Sequence, residues 1–212
     1  MKRIFMFGFV LLWMYSFTSP YCASGEAGKK EIVFDFEDST DSWRIPDWAY
    51  YQGDHVATEM QLAGEEASSG KSALKIMCDF PGDSWAAALI DLERPMDLSG
   101  YNTISADVYL PKKAPEGLMQ ARIILTCGDG WHFIEMRSAV PLKHGKWVTV
   151  KANLEKEEVP ESEWKGRKEK RLFLHIDKIK KIAVRVEYDA APPSKVGPRY
   201  TGPVYVDNIV IK

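Results

Sequence analysis

Two carboxylates, Asp35 and Glu37, alternate with Phe34 and Phe36 in FDFEDSTDSW, residues 34–43. Acids so placed can act as general acid and base, give oxygen to a hard cation, or face water. On an extended strand the two rings point one way, into a core, and the two acids the other. Hydrolysis of a glycosidic bond needs carboxyl groups facing each other across that bond, one of them with a raised pKa. Acids on one strand face lie side by side instead, and no opposing partner is evident. The histidines, His55, His132, His144 and His175, show neither metal spacing nor a nucleophile beside them. The pattern argues against an enzyme, so no catalytic residue is assigned. A further acid, Asp207, interrupts the apolar run VYVDNIVI at 204–211.

The tryptophans offer different chemistry. A sugar ring has apolar faces and a rim of hydroxyls, so it is held by flat aromatic platforms with hydrogen-bonding side chains around them. Trp48 lies in the loop-like RIPDWAYYQGD, Trp85 follows the turn PGDS, and Trp131 follows CGDG. All three can reach a cleft, or equally pack as core. Trp43 and Trp147 read as structural, and Trp164 lies in a charged stretch that decides nothing. Strand parity supplies a polar rim. Gln120, Arg122 and Thr126 share one face of MQARIILT, Trp131, Phe133, Glu135 and Arg137 one face of WHFIEMRS, and Arg185 and Glu187 one face of AVRVEY. These are hydroxyl-binding groups, or an ordinary solvated sheet face with cross-strand ion pairs.

The elements that must position these residues read as strands. Short runs rich in Val, Ile, Tyr, Phe and Trp, parted by Gly, Pro, Asp and Ser, fall at 31–37, 56–62, 72–80, 85–92, 102–110, 119–127, 131–138, 146–153, 181–188 and 203–211. No long segment has helical periodicity, so an antiparallel sandwich in a single all-β domain is expected over 31–212. Residues 155–175 are the least strand-like and read as a solvated loop or short helix. At the N-terminus, Lys2 and Arg3 precede an apolar run, Ile4–Tyr15, that ends in small residues. That is a secretory signal peptide over 1–24, with a flexible leader at 25–30, and secretion or a periplasmic or cell-surface location is expected. Cys22 also raises lipidation, although Tyr21 before it is bulky. The run is too short to span a bilayer, so no transmembrane segment is expected after cleavage. Removing Lys2 and Arg3 takes the formal charge from −2 to −4, with acids and bases interspersed, which excludes a nucleic-acid partner. Cys78 and Cys127 remain, bridged or free.

Taken in order, VFDFEDSTDSW, ASSGKSALKI, MDLSGYNTISADVYLP, GKWVTV and GPVYVDNIVI resemble a jelly-roll carbohydrate-binding module of the galactose-binding-like type. Among these the chain resembles the mannan-binding modules of bacterial β-mannanases, whose three platform tryptophans Trp48, Trp85 and Trp131 match in order. The resemblance implies a non-catalytic protein that binds a mannan or glucomannan type of polysaccharide in an aromatic-lined cleft, with a separate glycoside hydrolase as partner. It also implies a structural calcium held by Glu37 and Asp207, with Asp35 and the carbonyl of Lys71 contributing. Two other functions stay open: a surface or assembly module for a protein partner, and a glycan-active enzyme using Glu135.

Overall fold

The computed structural model describes residues 29–136, 139–154, 175–188 and 197–212. Eleven strands run through them: β1 (Ile32–Phe34), β2 (Ala57–Ala63), β3 (Ala73–Phe80), β4 (Ala86–Met96), β5 (Thr103–Leu110), β6 (Met119–Cys127), β7 (His132–Glu135), β8 (Val140–Pro141), β9 (Lys146–Asn153), β10 (Ile179–Tyr188) and β11 (Tyr200–Ile211). One sheet has the order β2-β3-β11-β5-β9, with β1 also on β11; the other has the order β4-β10-β6-β7, with β8 also on β6. Every strand pairing is antiparallel. The expected β-sandwich is therefore present, and no helix among the described residues is long and apolar enough to cross a membrane.

Period-two alternation sends one face of each sheet into a shared core. Ile182, Val184, Val186 and Tyr188 of β10 enter it with Ala121, Ile123 and Leu125 of β6 and Ile90 and Leu92 of β4. From the facing sheet come Leu74, Ile76, Ile104, Val108, Val204 and Val206. Cys78 and Cys127 are buried free thiols in this core, which resolves the choice left by the sequence. Burial pushes both thiols above the usual range, so neither is a ready nucleophile.

Three local features depart from the expected pattern. β1 stops at Phe34 and does not run to residue 37, because Phe36 takes φ 52° and turns the chain out of the strand. Phe34 and Phe36 are both buried as expected, but Asp35 and Glu37 do not share a strand face. In β11, Asn208 has φ 48°, tolerable for Asn, at a register shift between Asp207 and Val210. The extra residue swings Ile209 and Ile211 into the core beside Val204 and Val206, where plain alternation would set the two pairs on opposite faces. Trp147, expected as core, lies partly exposed and packs against Tyr109, with ring centroids 5.4 Å apart. Residues 155–174, which include Trp164 and nearly all of the stretch expected as a loop or short helix, lie outside the described residues.

Trp43 is structural, as read: it is 1% exposed and meets the rings of Phe34 at 5.7 Å and Phe36 at 6.4 Å edge-on. Such contacts add to the burial of the largest side chain in the core. Trp43→Ala is expected to lower unfolding stability by about 3–5 kcal/mol in urea melts. Trp43→Phe should cost less, because it keeps a ring and removes an indole N–H that has no partner.

Candidate functional site

The outward face of the five-stranded sheet gathers the polar set. Cross-strand pairing arranges it in successive rungs: Ala87, Glu187 and Gln120; then Leu89, Arg185 and Arg122; then Asp91, Ala183, Ile124 and Glu135; then Glu93, Lys181, Thr126 and Phe133. Leu89, Ile124 and Ala183 form a small buried apolar cluster apart from the main core. Around it, Arg122 donates from Nε to Glu187 Oε1 at 2.9 Å and from Nη1 to Glu135 Oε2 at 2.9 Å. Arg185 Nη2 lies 2.6 Å from Glu135 Oε1 and 2.8 Å from Glu187 Oε2. Gln120 Nε2 adds a 2.8 Å bond to Glu187 Oε1. All four carboxylate oxygens are thus engaged, and five of the six predicted rim residues, Gln120, Arg122, Glu135, Arg185 and Glu187, form one network. The sixth, Arg137, lies outside the described residues.

Exposed rings stand on this face. Trp85 precedes β4 and places its ring 5.4 Å from the Arg185 guanidinium carbon. Trp48 sits on the 3₁₀ turn Asp47–Tyr51, next to the exposed Tyr50 and Tyr51. Trp131 follows the Gly128–Gly130 turn, beside the exposed Phe133 of β7. Trp48, Trp85 and Trp131 are 40%, 38% and 51% exposed, so none of the three is core. Trp131 has φ 50°, a conformation unfavourable for a bulky side chain, in a turn that Gly128 opens at φ 71°. A β-bulge at Lys180 brings both Lys180 and Lys181 to 6.0 Å from the Trp131 ring. Along β10, the residues under Trp85 and Trp131, Arg185 and Lys181, are four apart, about 13 Å at the rise of a strand.

Asp91 belongs to the same face and was missed from sequence, although its parity with Ala87 and Leu89 was legible in AAALIDLE. It is buried, with Lys181 Nζ at 3.4 Å from Oδ2 and Arg44 Nε at 4.0 Å from Oδ1. Lys181 is closer to Glu93, at 2.7 Å. Burial outweighs these cations and raises the Asp91 carboxyl above its usual range.

Three of the four predicted metal residues, Glu37, Lys71 and Asp207, meet at the other sheet. The turn Ser68–Ser72 lies between Glu37 and Asp207, which approach it from the two ends of the domain. Glu37 accepts the amide N–H of Lys71 at 2.9 Å to Oε1 and 3.0 Å to Oε2, and of Ser72 at 3.3 Å. Asp207 Oδ2 accepts from the amides of Ser68 at 2.8 Å and Ser69 at 3.0 Å, and its Oδ1 from Asn208 at 2.6 Å. Burial raises the Asp207 carboxyl, the amides lower it, and neighbouring Asp107 raises it again, with a net rise. Asp107, missed from sequence, accepts hydroxyl bonds of 2.6 Å from both Ser68 and Thr149. Gly70 is required here: it has φ 62°, and a Cβ would fall 2.0 Å from Glu37 Oε1. Asp35 is exposed and 3.4 Å from the Glu37 amide, away from this turn. Glu37 and Asp207 supply the oxygen that calcium takes, and converge on one turn. Among the described residues no three His, Cys, Asp or Glu side chains gather to hold an ion, so carbonyl oxygens or water would have to complete any coordination.

Two facing antiparallel sheets with a polar, aromatic-edged outer face define a β-sandwich module, and solved structures of carbohydrate-binding modules share that fold. One, specific for non-crystalline cellulose, aligns with TM-score 0.58 and 19% identity over 82% of this chain and 90% of its own. Another, from work on promiscuous specificity in the β-sandwich superfamily, aligns at 0.55 and 17% over 84% and 60%. A tandem module from Paenibacillus barcinonensis aligns at 0.51 and 15% over 90% and 47%. No curated protein sequence matches. The chain belongs to the mannanase, galactose-binding domain-like family, whose profile matches residues 34–161.

Glu187 is 2% exposed among three donors, so removing it strands buried guanidinium groups. Glu187→Ala is expected to cost about 3–5 kcal/mol in denaturant melts, and the more exposed Glu135→Ala less. The raised Asp91 carboxyl favours the protonated form in the fold, so its contribution to stability is greatest in acid and falls as pH rises through its folded pKa. The stability of wild type relative to Asp91→Asn should therefore decline as pH rises above about 4, the free carboxylate value.

Proposed function

We propose that this protein is an exported, non-catalytic module that binds a β-linked polysaccharide of the mannan or glucomannan type. One observation carries the reading: a polar floor, in which both oxygens of Glu135 and of Glu187 are engaged, lies between exposed tryptophans. The floor holds hydroxyl-binding groups in fixed positions, and the rings give flat apolar surface at little rotamer cost. The family match supports the mannan class. Export rests on the N-terminal signal, and a separate glycoside hydrolase is the partner this role calls for.

Catalysis is disfavoured by the same geometry. Glu135 and Glu187 have every oxygen committed to guanidinium or amide donors. Asp91, the floor acid with a raised carboxyl, shares a rung with Glu135 but stands three strand spacings away, about 14 Å. Glycosidase pairs need roughly 5–9.5 Å.

Calorimetry with soluble glucomannan, galactomannan, xylan and cellulose oligosaccharides tests the assignment. Mannan-type ligands should give heat, and Trp85→Ala and Trp131→Ala should each lose about tenfold or more in affinity. Silence across the panel, or full affinity in both variants, refutes it; reducing-sugar release abolished by Glu135→Gln refutes the non-catalytic part.

Calcium at the Glu37–Asp207 turn belongs to the same proposal, supported by the two carboxylates that converge there. Adding calcium at roughly 100 times its Kd to chelator-treated protein should stabilise it by about 2.7 kcal/mol. An unchanged melt, or the same gain in Glu37→Gln, removes the ion and leaves the amides holding the turn alone.

A further inference from the structure

His55 has no place among the residues a sequence reading would choose, yet it touches two of the three platforms. Its ring meets Trp48 edge-on at 4.7 Å and Trp85 edge-on at 6.4 Å. Its side chain is 12% exposed, and Nδ1 lies 2.8 Å from Asp54 Oδ1, which fixes the proton on Nδ1 and the plane of the ring. The backbone around it is tied to the start of β4. Val56 donates to the Ala87 carbonyl at 2.8 Å, Ala87 donates to the Asp54 carbonyl at 2.8 Å, and His55 donates to the Gln52 carbonyl at 3.1 Å. His55 thus joins the 3₁₀ turn that carries Trp48, through the Gln52 carbonyl, to the start of β4 just after Trp85.

We propose that His55 is the positioning residue that makes Trp48 and Trp85 a single ligand platform, an inference that rests on the polysaccharide-binding reading above. Trp48 is carried on one turn of 3₁₀ helix with no side-chain cap, and its ring faces solvent on one side. Without the imidazole edge, that ring loses a packing partner, and more of its ordering falls to the ligand on binding. With the edge in place, ordering is already done, and Arg185 behind Trp85 fixes the other half of the platform.

Calorimetry with soluble glucomannan and near-UV circular dichroism, on wild type and variants, test this. His55→Ala is expected to lose about tenfold in affinity, the effect of two lost aromatic contacts, and to weaken the near-UV tryptophan signal. His55→Phe keeps both ring edges and should recover most of the affinity and the signal. His55→Gln, which keeps a polar contact for Asp54 without a ring, should behave as His55→Ala does and replaces it if that variant fails to fold. Wild-type affinity in the ringless variants, or a His55→Phe protein as weak as they are, overturns the proposal. Trp48→Ala and Trp85→Ala separate the two levels. If both lose affinity while the ringless His55 variants do not, only the positioning role falls. If neither loses affinity, the platform itself falls, and the positioning role with it.

Discussion

The fold depends on alternation along β10, the strand at the heart of the smaller sheet. Ile182, Val184, Val186 and Tyr188 fill the core, and Lys181, Ala183, Arg185 and Glu187 face outward between β4 and β6. A one-residue shift in that register would drive the charged side chains into the core and the four apolar ones into water. The outward ion pairs therefore act on register as well as on the site. Arg185 can reach both Glu135 and Glu187 only when β10, β6 and β7 are paired as observed. Burial on one face and charge pairing on the other select the same alignment.

This is why the parity of these strands was legible in the sequence. In β6, β7 and β10 the period of two holds without interruption over the residues that matter, so alternation alone sets Gln120, Arg122, Glu135, Arg185 and Glu187 on one face. The readings that failed are at residues with positive φ. Phe36 leaves the strand at once and separates Asp35 from Glu37; Asn208 inverts the inside and outside of the last strand. Phe gives no sign of such a backbone, Asn permits it without requiring it, and tertiary packing sets it. Trp147 failed for another reason, since a Trp in an alternating strand is equally at home on either side of a sheet and here packs at a tilt against Tyr109.

The tryptophans show the boundary of sequence reasoning most clearly. That Trp48 lies in a loop and that Trp85 and Trp131 follow turns was visible, and this placement made them candidates for exposure. That His55 joins two of them could not be seen, because the contact depends on how the segment after the 3₁₀ turn pairs with the start of β4. The turn that joins Glu37 to Asp207 was visible in part. Asp207 stood out as an acid in an apolar run and Glu37 came from the resemblance, while Asp107 sits in a run, ISADVYL, where an acid on the outward face looks ordinary.

The charges of the floor have a consequence for how it meets a polymer. Arg122 and Arg185 carry two positive charges, Glu135 and Glu187 two negative, and they lie in mutual contact and largely out of water. The group has no net field to steer an incoming chain, and mobile counterions have little to screen. Encounter is left to diffusion, and discrimination to shape and hydroxyl geometry. The proposed binding should therefore vary little with ionic strength.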